Sequence, residues 1–499
     1  MTSMLSRDEL ARLSPAQTSA FPSPIPTQVV SSDEFFPIPQ TPKQKRVEAR
    51  LKELADTHAR KNGLSRRKFF KTAAGMATAF AAMNDVFGPL YSVGRAEAAS
   101  VEVAAQLAQA QSGQFIMDMH THFLRPGTRI QTFVNQRKAV GQAGWNPALV
   151  GKEQTIDDLM QANWFKEVFL DSDTKVALVS GAPSDVPDDW FLTNEMKYQA
   201  RDKINAEAGT RRVFSHAIFT PGQPGWLDRV DRELEQLKPD SWKGYTIGDN
   251  TNKALSKYPW RMDDEKEAYK LYEKILKAGN NIVCVHKGLF PPSVEQQFPH
   301  LLAYSDVRDV GKAAKDWPQI NFVIYHSAYR WAGGGRAGEA LAQFEQTGRV
   351  EWTSDLAEIP AKFGVSNVYG DLGQIFAQTT VVEPRLCAAL MGILVKGLGH
   401  DHVVWGTDAI WTGSPQWQIE SLRRLEIPED MQRKHGFKPL GPADGAVKTA
   451  IFGENSARIY KYQVKKAGLE TDRVTAAKAA YLRNGADPSH LRYGYVLKG

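Results

Sequence analysis

Short apolar or β-branched runs recur through the middle of the chain, and longer stretches with helical spacing separate them. Eight such runs fall at residues 115–119, 175–180, 212–219, 241–247, 281–285, 320–325, 365–371 and 402–405. Helical patterns cover residues 225–237, 263–278 and 383–398, each long enough to cross back over a parallel sheet. Eight β/α units in succession predict an α/β protein whose strands close into a (β/α)8 TIM barrel.

An open, doubly wound sheet is the alternative architecture for alternating strands and helices. Such a sheet usually carries a glycine-rich phosphate-binding turn after its first strand. No turn of that kind follows the run at residues 115–119. The pattern therefore favours the barrel, whose active sites lie at the carboxyl ends of the strands.

The chain outside the barrel divides into segments of different composition. Residues 1–62 are polar and partly rich in serine, proline and threonine, which predicts a mostly disordered extension with a charged, helix-compatible stretch at 43–61. The predicted organisation continues with a signal segment (63–98), a linker (99–114), the barrel (115–462) and a C-terminal extension (463–499) that contains an Ala/Lys-rich helix near 472–484.

The segment from Ser65 to Ala98 has the features of an export signal. Residues 65–71 resemble the twin-arginine pattern S-R-R-x-F-L-K at every position except Phe70. A weakly apolar stretch follows at 72–83, and Ala98 ends a small-x-small cleavage motif, with Ala110 as the second choice. This predicts recognition by the twin-arginine export machinery and a periplasmic or secreted location. That route carries folded proteins, which suits a site loaded with metal before export.

Charge and cysteine content narrow the possible partners. The formal charge is +6, but residues 1–98 hold 14 Lys+Arg against 9 Asp+Glu, which leaves 48 against 47 for the remainder. Because the barrel itself is nearly neutral, we expect no nucleic-acid partner. Two cysteines, Cys284 and Cys387, do not suggest a disulfide framework. No apolar run is long enough for a stable membrane span, and a homo-oligomer is compatible with the sequence.

Ligand-type residues follow four of the predicted strands. His120 and His122 end the first strand, and residues two apart on a strand point to one face with Cβ atoms about 6.6 Å apart. His286 and His326 end the fifth and sixth strands, and Asp408 follows the eighth. Because the ends of parallel barrel strands converge on one rim, this placement predicts a metal site there.

At these residues the sequence resembles the amidohydrolase superfamily, in the branch that includes aminocarboxymuconate semialdehyde decarboxylase and related hydrolases. The resemblance covers roughly residues 115–460. It rests on the D-x-H-x-H motif at Asp118–His122, the single histidines of strands five and six, Gly406-Thr407-Asp408, residues 367–371 as the seventh strand, and a closing helix at 452–458.

The resemblance implies a role for each rim residue. His120, His122, His286 and Asp408 would bind a divalent metal, with Zn²⁺ the expected ion, and His326 would be the catalytic histidine. Asp408 would also take the proton of the water that the metal activates. In some superfamily members a carbamylated lysine bridges two metals near the position of Lys243. We expect a mononuclear site instead, with Lys243 as a substrate-facing or structural cation.

Four residues after strand ends are candidates for substrate binding: Lys243, Lys287, Arg330 and Trp411. If they face the pocket, they favour an anionic and aromatic small molecule; the alternative is a solvated or packing role for each. The residues after His326 and Asp408 differ from those usual in the family, so the substrate of a particular family member cannot be assigned to this chain. His216 is interpreted as a core histidine, and residues 333–335 as either a mobile loop or a turn.

These features together predict a metal-dependent hydrolase that acts on a small molecule through metal-activated water. The alternative chemistry is a metal-dependent, non-oxidative decarboxylase (carboxy-lyase) that uses the same ligands on a small carboxylated substrate. A third hypothesis, a periplasmic binding or scaffold protein, keeps the barrel without the chemistry. The presence of all five rim residues argues against it.

Overall fold

Eight parallel strands form the centre of the molecule. The computed structural model describes residues 13–15, 23–29, 32, 34–35, 38–127, 159–249, 252–486 and 495–497. The strands are β1 (Met117–Thr121), β2 (Val176–Val179), β3 (Val213–Ile218), β4 (Ser241–Tyr245), β5 (Ile282–His286), β6 (Asn321–Tyr325), β7 (Val368–Asp371) and β8 (Val403–Val404). All eight overlap the runs that the hydrophobic pattern predicts.

The sheet curls into a nearly closed barrel. Each strand pairs in parallel with the next one along the chain, from β1 to β8. Between the first and last strands, the Met119 amide donates to the Trp405 carbonyl at 2.9 Å, and the Asp408 amide donates to the His120 carbonyl at 2.8 Å. This confirms the (β/α)8 fold and excludes the open sheet.

Helices surround the barrel. They are α1 (Pro42–Lys61), α2 (Arg66–Phe69), α3 (Ala73–Phe87), α4 (Arg95–Ala99), α5 (Val101–Gln111), α6 (Gln161–Phe165), α7 (Asn194–Ala208), α8 (Trp226–Gln236), α9 (Ala268–Lys277), α10 (Pro292–Gln297), α11 (Leu302–Ser305), α12 (Val310–Asp316), α13 (Ala337–Thr347), α14 (Thr353–Phe363), α15 (Ile375–Val382), α16 (Pro384–Gly397), α17 (Gln416–Arg424), α18 (Glu429–His435), α19 (Ala446–Thr449), α20 (Asn455–Ile459) and α21 (Arg473–Arg483). A short antiparallel pair joins Leu13–Pro15 to Tyr495–Leu497.

Helix α1 lies within the stretch for which the composition predicts mostly disorder. The Thr41 hydroxyl caps its first turn by accepting a hydrogen bond from the Gln44 backbone amide, and the Thr41 amide donates to the Gln44 side chain. Its buried apolar residues, Val47, Leu51, Ala55 and Ala59, are spaced four apart and form one stripe. This stripe packs in the same core as helices α3, α15 and α16. Helix α1 thus coincides with the helix-compatible stretch predicted at 43–61, whereas the overall polarity of residues 1–62 conceals the apolar face by which it packs.

The twin-arginine-like segment is also folded against the barrel. Phe69 and Phe70 are fully buried in the main core. Glu97, one residue before the predicted cleavage site, forms an ion pair with Arg424 of α17. The Ser92 amide donates to the Arg424 carbonyl at 2.7 Å. Cleavage after Ala98 would therefore detach helices that cover the outer layer of the barrel.

The described residues 23–29, 32 and 34–35, which we name the mouth segment, precede helix α1. Ile25 and Val29 are buried in the main core. The side chain of Gln28 donates to the Ile38 carbonyl at 2.7 Å, and Gln40 donates to the Thr27 carbonyl at 2.9 Å. These bonds fold the segment back toward α1.

The C-terminal extension contains the predicted helix as α21. Its N-terminal cap, Asp472, accepts hydrogen bonds from Arg212 beside β3, at 2.6 and 2.7 Å. Both members of this ion pair are almost fully buried. Cys284 and Cys387 are buried free thiols. Among the described residues, no helix has the length and apolarity needed to cross a membrane.

Candidate metal centre

The two histidines of β1 meet Asp408 at the carboxyl end of the barrel. His120 Nε2 lies 3.2 Å from Asp408 Oδ1, and His122 Nε2 lies 3.1 Å from the same oxygen. All three side chains are buried. Donor atoms around a tetrahedral ion with bonds of 2.0–2.1 Å are about 3.3 Å apart. The spacing therefore fits one divalent ion, as the H-x-H pattern predicts.

Close backbone packing brings Asp408 to this position. A Cβ atom on Gly406 would lie 2.0 Å from Asp371 Oδ1 and 2.8 Å from His120 Cβ, so only glycine fits there. The Thr407 amide and hydroxyl both donate to Asp118. Asp118, the first residue of the D-x-H-x-H motif, thus binds the β8 loop and does not point at the ion position.

His120 is oriented by a carboxylate that the sequence analysis missed. Its Nδ1 lies 3.0 Å from Asp371 Oδ2, at the end of β7. When Asp371 is ionised, Nδ1–H donates to it and Nε2 keeps a lone pair for metal binding. Burial raises the pKa of Asp371 to about 8. The sequence signal was present, since Asp371 follows a predicted strand end and carries a ligand-type side chain.

His286 and His326 lie next to this group rather than within it. His326 Nδ1 is 2.9 Å from the Gly373 carbonyl, so Nδ1 carries the proton and Nε2 is the acceptor. That Nε2 lies 3.1 Å from His286 Nδ1. The rings of His120 and His326 are 5.0 Å apart. The four histidines are therefore neighbours, as predicted, but His286 contacts His326 and not Asp408.

Burial keeps these imidazoles neutral, which is the form that binds metal. It lowers the pKa of His120 and His286 well below the usual value and lowers that of His326 to about 4. Burial also opposes ionisation of Asp408, but its contacts with His122, His326 and Lys243 outweigh this and lower its pKa. Gln374 donates to the second oxygen of Asp408 at 3.3 Å.

Lys243 lies inside the barrel close to the centre. Its Nζ is 3.2 Å from the centroid of the Tyr325 ring, and among the described residues it has no hydrogen-bond partner. Burial lowers its pKa to about 7, while the nearby charges of Asp371 and Asp408 favour the protonated form. Trp411 lies beside the metal ligands as well, with its ring 6.0 Å from that of His122.

Lys287 and Arg330 are not in the centre, which corrects their assignment as candidate substrate-binding residues. Lys287 follows His286 directly, so its side chain points to the opposite face of the strand. There it forms a fully buried ion pair with Asp309 at 2.8 Å. Arg330 forms ion pairs with Glu295 and Glu351. His216 is a core histidine as interpreted, bonded at 2.7 Å to both Ser241 and Tyr325.

Comparison with known proteins identifies the family. Residues 117–462 match the family model described as Amidohydrolase, and the chain belongs to this family of enzymes. The resemblance seen in the sequence is thereby confirmed at family level. A search of curated proteins found no match.

Solved structures with the same barrel share little sequence with this chain. An uncharacterized TIM-barrel protein from Bordetella bronchiseptica is 13% identical, with 70% of this chain and 98% of that chain covered and a TM-score of 0.43. The 5-carboxyvanillate decarboxylase from Sphingomonas paucimobilis is 14% identical, with 70% of this chain and 100% of that chain covered and a TM-score of 0.38. A dihydroxybenzoic acid decarboxylase from Polaromonas, solved with manganese and 2-nitroresorcinol, is 13% identical, with 72% of this chain and 99% of that chain covered and a TM-score of 0.40. These likenesses concern the barrel fold alone.

Proposed function

We propose that the protein is a metal-dependent, non-oxidative decarboxylase of a small aromatic carboxylate. The observation that carries this proposal is Lys243, a buried amine without a hydrogen-bond acceptor among the described residues, next to the ligand histidines. An anionic substrate group supplies the acceptor that such an ammonium lacks. This proposal favours the second of the two chemistries that the sequence allows.

Aromatic side chains beside the centre suit a planar substrate. Trp411 packs on Phe191 with ring centroids 5.9 Å apart, and Tyr245 stacks on His286 at 4.9 Å. Phe191, Tyr245 and Trp411 form one buried cluster together with Leu124 and Ala182. A carboxylate held in such dry surroundings is raised in free energy relative to neutral CO₂, which favours its loss.

The donor atoms fit a divalent metal ion. We assign His120, His122 and Asp408 as its ligands on the basis of their 3.1–3.2 Å donor spacing, and His286, a buried neutral imidazole next to this group, on the basis of the family resemblance. When bound, the ion supplies positive charge that orients and polarises the substrate. Three imidazole nitrogens and a carboxylate suit both Zn²⁺ and Mn²⁺, so the protein should be assayed with each ion.

His326 is the residue to which we assign proton transfer. Decarboxylation breaks the bond between the carboxyl carbon and the substrate carbon and releases CO₂. The electron pair of that bond stays on the substrate carbon, which must then bind a proton. His326 is neutral at pH 7 because its pKa is about 4, and its Nε2, which faces His286, is the ring nitrogen without a proton. It can therefore take a proton from the substrate or solvent and deliver it to that carbon.

Product analysis of the purified, metal-loaded protein tests the chemistry. We expect release of ¹³CO₂ from carboxyl-labelled hydroxybenzoates with Mn²⁺ or Zn²⁺, and loss of most turnover in His326→Asn. Release of CO₂ without dependence on metal, or no CO₂ from any aromatic carboxylate in the screen, would contradict the proposal.

Hydrolysis of an amide, ester or ring bond is the second candidate, because a divalent ion held by the three converging donor atoms could also activate a water molecule. Incorporation of ¹⁸O from labelled water into the product, without CO₂, would favour it. The same screen, extended to amides and lactones, therefore separates the two chemistries.

We also propose export by the twin-arginine machinery. The support is the match of residues 65–71 to its recognition pattern, with Arg67 and Lys68 exposed on the surface. The paired variant Arg66→Lys/Arg67→Lys is expected to stay in the cytoplasm on cell fractionation. Equal export of variant and wild type would reject this location.

A further inference from the structure

The mouth segment, which precedes the barrel in the sequence, reaches the metal centre. Glu34 Oε1 lies 3.5 Å from His286 Nδ1, and their side chains are 6% and 4% exposed. The ligand atoms of Glu34, His286 and His326 lie within 4.8 Å of one another. A carboxylate from outside the barrel is therefore buried among the histidines of the barrel rim.

The separations within this group match those of a coordinated ion. His286 Nδ1 is 3.1 Å from His326 Nε2 and 3.5 Å from Glu34 Oε1. The separation of Glu34 from His286 is close to the spacing of about 3.3 Å expected between donors around an ion with bonds of 2.0–2.1 Å. The negative charge of Glu34 also acts on Lys243, where it favours the protonated amine.

The loop after β6 holds the mouth segment over the centre. At Gly334 a Cβ atom would lie 2.8 Å from Val382 and 3.1 Å from Val29, and at Gly333 it would lie 3.1 Å from the Phe35 ring. Both glycines adopt positive φ angles, +74° and +72° for Gly333 and Gly334. The three-glycine stretch is thus a turn against which the mouth segment packs.

Local bonds fix the backbone on either side of Glu34. The Glu34 amide donates to the Ser32 hydroxyl at 3.0 Å, and the Ser32 amide donates to the Phe35 carbonyl at 3.1 Å. Val29, on the N-terminal side, is 1% exposed. The carboxylate is therefore presented by an anchored turn.

We propose that Glu34 is a ligand of the metal centre, supplied beside His286 by the mouth segment. This inference rests on the proposed function, since it requires that the barrel histidines bind a divalent ion. An added carboxylate oxygen shifts the donor set toward ions that prefer oxygen, such as Mn²⁺. It also gives the N-terminal part of the chain a direct role in the active site.

Titration of the full-length, metal-free protein with Mn²⁺, followed by electron paramagnetic resonance, tests this role without any substrate. Glu34→Gln is expected to raise the Kd for Mn²⁺ at least about tenfold. Val29→Ser keeps the carboxylate but weakens its anchor, and is expected to raise the Kd by a smaller factor. Glu53→Gln, which removes an exposed carboxylate of α1, is the control and should match the wild type.

The outcomes separate the inference from the proposed function. If the wild type binds Mn²⁺ and Glu34→Gln binds it within twofold of the same Kd, the role of Glu34 is rejected and the barrel ligands stand. If the wild type binds no divalent ion, both proposals fail. Circular dichroism of each variant, with a melting curve like that of the wild type, verifies that the fold is retained.

Discussion

Two buried lysines next to strand ends differ in what they face, and this difference defines their roles. Lys287 is paired with buried Asp309, whereas the Lys243 amine lies over the rings of Tyr245 and Tyr325 and has no hydrogen-bond partner among the described residues. The sequence places both directly in or after a strand, so composition and position alone do not distinguish them. The distinction depends on which face of the strand each side chain occupies.

Replacing each lysine by methionine is expected to give opposite results. Lys243→Met removes the cation that faces the substrate, and should lower kcat/KM about 10- to 100-fold with little loss of stability. Lys287→Met leaves Asp309 buried and unpaired, and should lower the free energy of unfolding by about 3 kcal/mol. Urea denaturation and steady-state kinetics on both variants measure the two effects. Equal losses of kcat/KM would contradict the assignment.

Metal content tests the ligands of β1. The double variant His120→Ala/His122→Ala removes two of the three donors that meet at one position, so we expect it to be purified without metal. His300→Ala, at an exposed position, serves as the control and should retain the ion. Metal analysis by mass spectrometry after dialysis measures both. Full metal occupancy in the double variant would reject these ligands.

At the scale of elements, the local pattern of apolar residues predicts the strands of the barrel but does not predict how the mouth segment packs over them. The eight strands were predictable because each lies in a short, mainly apolar or β-branched run flanked by turns and helical spacing. The five predicted rim residues were predictable because ligand-type side chains follow those runs. The mouth segment has no periodicity, and its contacts with Gly333 and Gly334 span about 300 residues, so no local signal reveals them.

The covering helices α1, α2 and α3 are expected to be necessary for solubility. They pack in one core with helices α15 and α16, most of whose residues are buried. Deletion of residues 1–98 would expose this apolar surface and should cause aggregation. Size-exclusion chromatography and binding of a hydrophobic dye compare the truncated and full-length proteins. A monodisperse truncated protein that does not bind the dye would contradict this role and would suit cleavage after Ala98.

For the whole molecule, the barrel interior makes stability sensitive to acid. Burial lowers the pKa of five histidines: His120, His122, His216, His286 and His326. Below the ordinary pKa of about 6.5 the unfolded chain therefore binds more protons than the folded one. The stability that these neutral histidines contribute is present above pH 6.5 and is lost as the pH falls toward 4.

Melting temperatures measured between pH 7.5 and 4.5 test this effect. We expect the Tm of the metal-free protein to fall below pH 6.5, since each of the five histidines costs about 1 kcal/mol per pH unit there, and the opposite effect of the buried carboxyl groups of Asp118, Asp371 and Glu233, whose pKa values burial raises, offsets only part of this. Saturating Mn²⁺ should raise the Tm and shift the start of the decline to lower pH, because bound imidazoles resist protonation. A Tm that does not change between pH 6.5 and 4.5 would contradict the neutral state of the histidines.

The position of the N-terminal part on the barrel also determines the order in which the protein can be completed during synthesis. Lys43 pairs with Glu383, and Gln44 donates to the Val381 carbonyl, across some 340 residues. These contacts cannot form until helix α15 has left the ribosome. Helix α1 is therefore synthesised before the barrel but is among the last parts to reach its final position, and Glu34 joins the metal centre only after the barrel is nearly complete.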